Sequence, residues 1–133
     1  MSDEREDIDA AELEQALKGY VDKANASPRA RKTLATWTCR LHIVATNVEG
    51  AEFTYVVEQG VSQPIMLGLE GVPDLVVRGH SFDLAEIFWG DANPVSNYMQ
   101  GAIKTQGRAD DVMRLDAMAM FIFLGQCAGA TTT

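Results

Sequence analysis

The stretch FDLAEIFWGDANPVSNYMQGAIKTQGRADDVMRLDAMAMFIF, from Phe82 to Phe123, decides the fold of this chain. It opens with a helical apolar pattern, breaks at Gly90–Pro94, passes through a short strand bounded by glycines and ends in a longer helix. Ala117–Leu124 is an unbroken apolar run, whereas an ordinary surface helix needs only one apolar stripe. The second face of that helix must therefore be covered by another part of the fold, by a second subunit or by a bound apolar ligand.

Two helices are predicted near the beginning of the chain. Asp9 followed by Glu12 reads as a capping box, and an apolar stripe then continues to about Lys23. Ser27 and Pro28 supply a hydroxyl cap and a first-turn proline for the second helix.

The middle of the chain changes to the two-residue repeat of half-buried strands. Thr38–Thr46 alternates apolar and polar residues, and Pro64 marks an edge or a bulge further on. Short turns join the first four predicted strands, so we expect an antiparallel meander. The remaining predicted elements are strands in Phe53–Val57, Val61–Leu69, Asp74–Arg78 and Ala102–Gln106, and helices from Ser81, from Asn93 and from Ala109 to about Leu124.

This order of elements predicts an α+β fold. We expect a single five-stranded, mixed and mostly antiparallel sheet that helices cover on one face. A chain of 133 residues is one domain of ordinary size. We assign residues 9–125 to that domain, residues 1–8 to a disordered acidic tail and residues 126–133 to a flexible C-terminal tail.

The charge of the chain restricts its partners. The formal net charge is −8, which makes general nucleic-acid binding a poor hypothesis because such binding depends on neutralising phosphates. One basic island contains Arg29, Arg31 and Lys32, and it is either a solvated helix face or a site for one anionic group. Neither a signal peptide nor an apolar run of membrane-spanning length is visible, so we expect a cytoplasmic protein without stable membrane insertion.

No set of residues predicts catalysis. The two histidines, His42 and His80, have no partner at a metal-ligand spacing, and no zinc or calcium motif occurs. The chain also lacks a nucleophile elbow and a phosphate-binding glycine loop. Cys39 and Cys127 lack a visible activating base. We therefore expect no enzyme activity, no cofactor and no metal.

The methionines are concentrated in the second half of the chain. Methionine is flexible and polarizable, and it lines surfaces that accept variable apolar shapes. For any single methionine a place in the core is the simpler interpretation. Taken with the aromatic residues of the same region, the group also favours a ligand cavity. These methionines are Met66, Met99, Met113, Met118 and Met120.

From Pro73 onward the sequence resembles the sterol-carrier-protein-2-type lipid-transfer domain. The similar features are a Pro73-Asp74 strand entry, an apolar helix ending in Gly90, and a proline-started short helix that leads into YMQGAIKTQG, from Tyr98 to Gly107. A final amphipathic helix follows. The resemblance covers about Leu13–Leu124 and implies a lipid-binding domain.

Two functions follow as hypotheses. The first is the binding and transfer of a fatty acid, fatty acyl-CoA or sterol in a cavity between sheet and helices. The second is a non-catalytic interaction module whose apolar C-terminal helix packs on a second subunit, as a homodimer, or on an enzyme partner. For the first, we predict a cavity lined by Phe88, Met99, Ile103, Met113, Met118 and Phe121, with Arg29, Arg31 and Lys32 as weaker candidates for contact with a head group.

Overall fold

A computed structural model describes residues 8–89 and 103–131 of the protein, without the side chains of residues 126–131. The helices of this part are α1 (Ala10–Ala26), α2 (Pro28–Thr33), α3 (Ser81–Trp89) and α4 (Ala109–Thr131). The strands are β1 (Cys39–Ala45), β2 (Glu52–Glu58), β3 (Val61–Ser62), β4 (Met66–Leu67), β5 (Leu75–Gly79) and β6 (Ile103–Gly107). The predicted helix at Asn93 lies outside the described residues.

The first two predicted helix starts are confirmed by their caps. The Asp9 carboxylate accepts a 2.8 Å hydrogen bond from the Glu12 amide, and Ser27 Oγ accepts one of 3.2 Å from the amide of Ala30. The last helix continues to Thr131, beyond the predicted end near Leu124. Among the described residues, no helix has both the length and the apolar character that a membrane crossing requires.

The predicted single mixed sheet is confirmed, with the strand order β3-β2-β1-β5-β6. Pro64 interrupts the predicted third strand, and its two halves, β3 and β4, both pair antiparallel with β2. The predicted meander is wrong at one step, because β5 pairs in parallel with β1 instead of following the third strand. β1 is thereby central, since β2 pairs with it on one side and β5 on the other.

The core lies between this sheet and the helices, which cover one face as predicted. Strand positions such as Leu41, Ile43 and Val57 are buried on that face. Tyr20 of α1 joins the layers, because its ring meets Tyr55 of β2 and Phe88 of α3 edge-on, at centroid distances of 5.9 and 5.0 Å. Ile8, which the sequence placed in the acidic tail, is also buried, and its amide donates to Ser81 Oγ.

Candidate functional site

An apolar crevice lies between the sheet and the helices α3 and α4. Its free volume is about 10 Å³, too little for an organic ligand, so the crevice is closed in this structure. Phe88 and Ile103, both predicted to line a cavity, lie on its wall. The residues that line it are Val77, Leu84, Ile87, Phe88, Ile103, Leu115 and Ala119.

A second and larger space is a groove beside residues 121–125 of α4. It has a volume of about 450 Å³, which is within the range of small-molecule sites. Its wall is formed by the turn that joins α1 to α2 and by the later turns of α4. The residues that line the groove are Lys23, Ala26, Ser27, Pro28, Arg29, Phe121, Ile122, Leu124 and Gly125.

Two cations stand on the wall of this groove. The Lys23 ammonium donates a 2.6 Å hydrogen bond to the carbonyl oxygen of Trp89, the last residue of α3. The Arg29 guanidinium carbon lies 5.4 Å from the centroid of the Phe121 ring, within the distance of a cation–π contact. The groove therefore combines an apolar wall with positive charge, as a site for an amphipathic anion does.

One face of α4 connects the crevice to the groove. Leu115 and Ala119 line the crevice, and Ile122 lines the groove. These positions are four and three residues apart, so they follow one another along a single face of the helix. Lys23 connects the groove to the crevice a second time. Its ammonium group binds the end of α3, and Phe88 of the same helix lines the crevice.

The structure separates the predicted site residues. Phe121, predicted to line the cavity, lies on the groove instead of the crevice, and Arg29, a candidate for contact with a head group, also lies on the groove. Met118 is buried in the core, whereas Met113 is 68% exposed and lines neither space. The remaining predicted residues are Met99, which is outside the described part, and Arg31 and Lys32, which are exposed and away from the groove.

Sequence reasoning missed Lys23 and Ile122. Lys23 carries no local signal, since a lysine near the end of a helix is an ordinary partner of the helix dipole. Ile122 lies inside the apolar run that the sequence singled out, and only the direction of α4 distinguishes it from its neighbours.

The titratable groups of the described residues do not assemble into a metal site. No three His, Cys, Asp or Glu side chains of that part lie close enough together to hold a metal ion. Burial raises the pKa of the Cys39 thiol to about 12, and the nearby carboxylates of Asp111 and Asp74 act in the same direction. That thiol is therefore protonated at neutral pH.

The fold is that of sterol-carrier-protein-2-type structures. A sterol carrier protein domain 2 of Helicoverpa armigera is 18% identical, with a TM-score of 0.58 over 92% of this chain and 94% of that one. The ubiquinone synthesis protein UbiJ-SCP2 is 17% identical, with a TM-score of 0.58 over 86% of this chain and 91% of that one. The palmitated sterol carrier protein 2-like 2 of Aedes aegypti is 16% identical, with a TM-score of 0.51 over 77% and 93%.

No family model matches the sequence, and no curated protein matches it either. At these identities the structural similarity establishes the fold alone. A function for this chain must therefore be argued from its own residues.

Proposed function

We propose that this protein binds one amphipathic lipid, with the polar end in the groove and the apolar chain along α4 toward the crevice. The observation that carries the proposal is the continuous apolar face of Leu115, Ala119 and Ile122, which begins in the crevice and ends beside two cations. An apolar path with a charged mouth matches a lipid that has one polar end. The names of the similar structures, which include sterol carriers and a palmitated protein, support a lipid ligand.

Burial of the chain supplies the free energy of binding. Each methylene removed from water contributes about 0.8 kcal/mol, so a dozen give a gross gain of about 10 kcal/mol. The loss of ligand freedom offsets several kcal/mol of this gain. We therefore expect dissociation constants in the low micromolar range, about 1 to 10 μM.

Entry of the chain requires the crevice to open. Its walls are side chains of α3 and α4 packed on β5 and β6, and they meet with almost no free volume. The groove, by contrast, is already formed. The polar end would bind first in the groove, and the chain would then separate α4 from the sheet.

The charges of the groove favour a carboxylate or phosphate over a sterol hydroxyl. Lys23 and Arg29 form no ion pair within the described part of the chain, so a ligand anion would not have to displace a carboxylate. Arg29 is exposed and Lys23 is half-buried, which places both at the mouth. We therefore rank a fatty acid or fatty acyl-CoA above a sterol.

Two glycines provide a matched test. Gly125 lines the groove and Gly19 lies in α1 away from it, and a Cβ on either would meet no atom within 4 Å beyond the adjacent backbone of its own helix. Gly125→Phe would fill the groove, whereas Gly19→Phe adds the same ring elsewhere. The protein is stripped of lipid by solvent extraction and titrated with a fluorescent fatty acid that palmitate displaces. Native mass spectrometry before extraction detects any lipid that co-purifies.

The expected result is saturable binding that Gly125→Phe weakens at least about tenfold, a loss of about 1.4 kcal/mol, while Gly19→Phe binds like the parent. Lys23→Gln should weaken binding of the fatty acid more than binding of its methyl ester. The proposal fails if no lipid co-purifies and the probe gives no displaceable signal. It also fails if both glycine variants bind equally well.

A second candidate function is favoured by the outer face of α4. Met113 is 68% exposed, and Ala117 and Met120 follow it on the same face, half-buried. Leu124, which is 47% exposed, ends this face at the edge of the groove. A partner chain that packs on this stripe would act as the cover that the apolar helix needs. Sedimentation of the purified protein tests for a homodimer. If it forms through this face, Met120→Glu should dissociate it. A strictly monomeric parent protein would exclude the homodimer.

We infer a carrier instead of a catalyst, and the names of the similar sterol carriers support this inference. The cytoplasm stays our predicted location, as it was from the sequence. A carrier role is consistent with a protein whose distinctive feature is an apolar site. Incubation of the loaded protein with a fatty acyl-CoA, followed by mass analysis of the lipid, should return the lipid unchanged.

A further inference from the structure

The Lys23 ammonium has a role in the groove and another at the end of α3. It lines the groove, and it donates a 2.6 Å hydrogen bond to the carbonyl oxygen of Trp89. A lysine ammonium has three N–H donors. Within residues 8–89 and 103–125, Trp89 supplies the only acceptor for this ammonium, so two donors remain for a ligand in the groove.

The bond to Trp89 is made where α3 needs a partner. The last four carbonyl oxygens of a helix have no donor within the helix, and the helix dipole favours a cation beside them. Lys23 is half-buried, so water competes less for its ammonium than it does at a fully exposed lysine. The ammonium is therefore a C-terminal cap of α3 that also stands on the groove wall.

One face of α1 positions two consecutive residues of α3. Tyr20 and Lys23 are three residues apart in α1, and residues at this spacing are neighbours on one face of a helix. The Tyr20 ring meets the Phe88 ring edge-on at a centroid distance of 5.0 Å, while Lys23 binds Trp89. Phe88 is buried and lines the crevice. The wall of the crevice is thus fixed to the helix that carries the groove cation.

Arg29, the other cation of the groove, lacks this connection to α3. It is exposed, and its guanidinium carbon lies 5.4 Å from the ring centroid of Phe121 in α4. Among the described residues, its side chain makes no hydrogen bond to α3. Both cations can therefore attract a head group, but of the two only Lys23 links that head group to the crevice wall.

We propose that Lys23 is a positioning residue that couples recognition of an anionic head group to closure of α3 over the apolar chain. The carboxylate of a bound fatty acid would accept hydrogen bonds from the free donors of the ammonium, while Trp89 keeps its own. A side chain that the ligand has already ordered loses less conformational entropy when it also binds α3. The anion would therefore strengthen the contact that holds the end of α3 in place.

This coupling gives the site a means of distinguishing acids from neutral lipids. A neutral lipid such as methyl palmitate fills the crevice but does not order the ammonium, so the end of α3 opens more often and the chain leaves sooner. The inference rests on the proposed function and deepens it. Both cations slow the release of an acid by charge attraction, so the distinctive consequence is stronger protection of α3.

Hydrogen exchange of the full chain, saturated with palmitate or with methyl palmitate, tests the coupling. In the parent, the amides of residues 85–89 should exchange about tenfold more slowly with palmitate, because exchange there reports opening of the helix end. Lys23→Met keeps the apolar stem, removes the ammonium and should abolish this difference between the two lipids. Lys23→Arg keeps a cationic donor and should retain most of the difference.

Arg29→Met is the matched control, because it also removes one cation from the groove. It should weaken palmitate binding but preserve the slower exchange of residues 85–89 with palmitate. A merely structural role of Lys23 predicts a different result for Lys23→Met, namely faster exchange by the same factor with either lipid and with none. Thermal unfolding verifies that each variant is folded.

The outcomes separate this inference from the proposed function. If neither lipid gives a displaceable signal, the proposed function fails and the coupling fails with it. If both lipids bind the parent but residues 85–89 exchange equally fast with each, the coupling alone is wrong. The coupling is also wrong if Lys23→Met preserves the difference, or if Arg29→Met abolishes it as completely.

Discussion

Trp37 Nε1 donates a 3.0 Å hydrogen bond to Asp111 Oδ1, and the two residues are 74 positions apart in the chain. Trp37 precedes β1, and Asp111 lies in the first turn of α4. Both side chains are buried, at 3% and 7% exposure. The bond therefore fixes the beginning of α4 to the segment that enters the central strand. It helps to set the direction of the helix that lines both the crevice and the groove.

Loss of this bond should destabilise the fold. We expect Trp37→Phe to lower the free energy of unfolding by about 1 to 3 kcal/mol, because it leaves a buried carboxylate without its donor. Asp111→Asn retains an acceptor oxygen and should cost less. A double-mutant cycle measured by urea denaturation gives the coupling between the two residues. A coupling near zero would contradict a direct bond.

Elements whose signals are local could be predicted from the sequence. The caps at Asp9 and Ser27 depend on residues within three positions of each, and both are present. The pairing of β5 with β1 could not be predicted in the same way, because it joins strands separated by β2, β3 and β4. The meander rule favours neighbours in sequence, whereas the long connection places β5 on the free edge of β1.

Two glycines of similar backbone conformation allow the cost of a steric clash to be distinguished from the cost of a left-handed backbone. Gly50 and Gly60 both have positive φ, at 79° and 78°. A Cβ on Gly60 would lie 2.7 Å from the carbonyl oxygen of Leu34, whereas a Cβ on Gly50 would meet nothing within 4 Å. Gly50→Ala should therefore cost only the left-handed backbone, about 1 to 2 kcal/mol, and Gly60→Ala should cost distinctly more. Equal losses in urea denaturation would mean that the turn at Gly60 moves to relieve the clash.

The candidate site could be predicted only in part, because the side of α4 that faces inward depends on how the helix packs. Phe88 and Ile103 are apolar residues on a helix and a strand whose inner faces the sequence pattern identifies. Met113 and Phe121 lie on a helix that is apolar almost all round, so the pattern does not say which side faces inward. The packing of α4 against α2 and the sheet decides this, and it leaves Met113 in solvent.

Thr54 should be the residue that fixes residues 66–72, which form the strap, to β2. Thr54→Val keeps the shape of the side chain but removes both hydrogen bonds of its hydroxyl, to Gly68 and Glu70. We expect a loss of about 1 to 3 kcal/mol, because the strap amide of Glu70 loses its acceptor. Hydrogen exchange should accelerate in residues 66–72 and stay slow in β1. Uniformly faster exchange would instead indicate global destabilisation without a specific effect on the strap.

Two buried acids should make the fold sensitive to alkaline pH. Burial raises the pKa of Cys39 from its ordinary 9.0 to about 12, and the carboxylates of Asp111 and Asp74 add to the shift. Burial also raises the pKa of Tyr55 well above its usual range, although a 2.6 Å hydrogen bond with Ser62 opposes the shift. Both groups ionise more readily in the unfolded chain, so the unfolded state gains stability as the pH rises.

The contribution of the Cys39 thiol to the free energy of unfolding is fully present below pH 9 and is lost progressively between pH 9 and about 12. The free energy of unfolding should therefore fall across this range, with a contribution from Cys39 of at most about 1.4 kcal/mol per pH unit. Cys39→Ala should reduce that slope while leaving the effect of Tyr55. Urea denaturation at several pH values measures the slope, in a Cys127→Ser background so that one thiol titrates. An unchanged slope in Cys39→Ala would show that the buried thiol does not ionise on unfolding in this range.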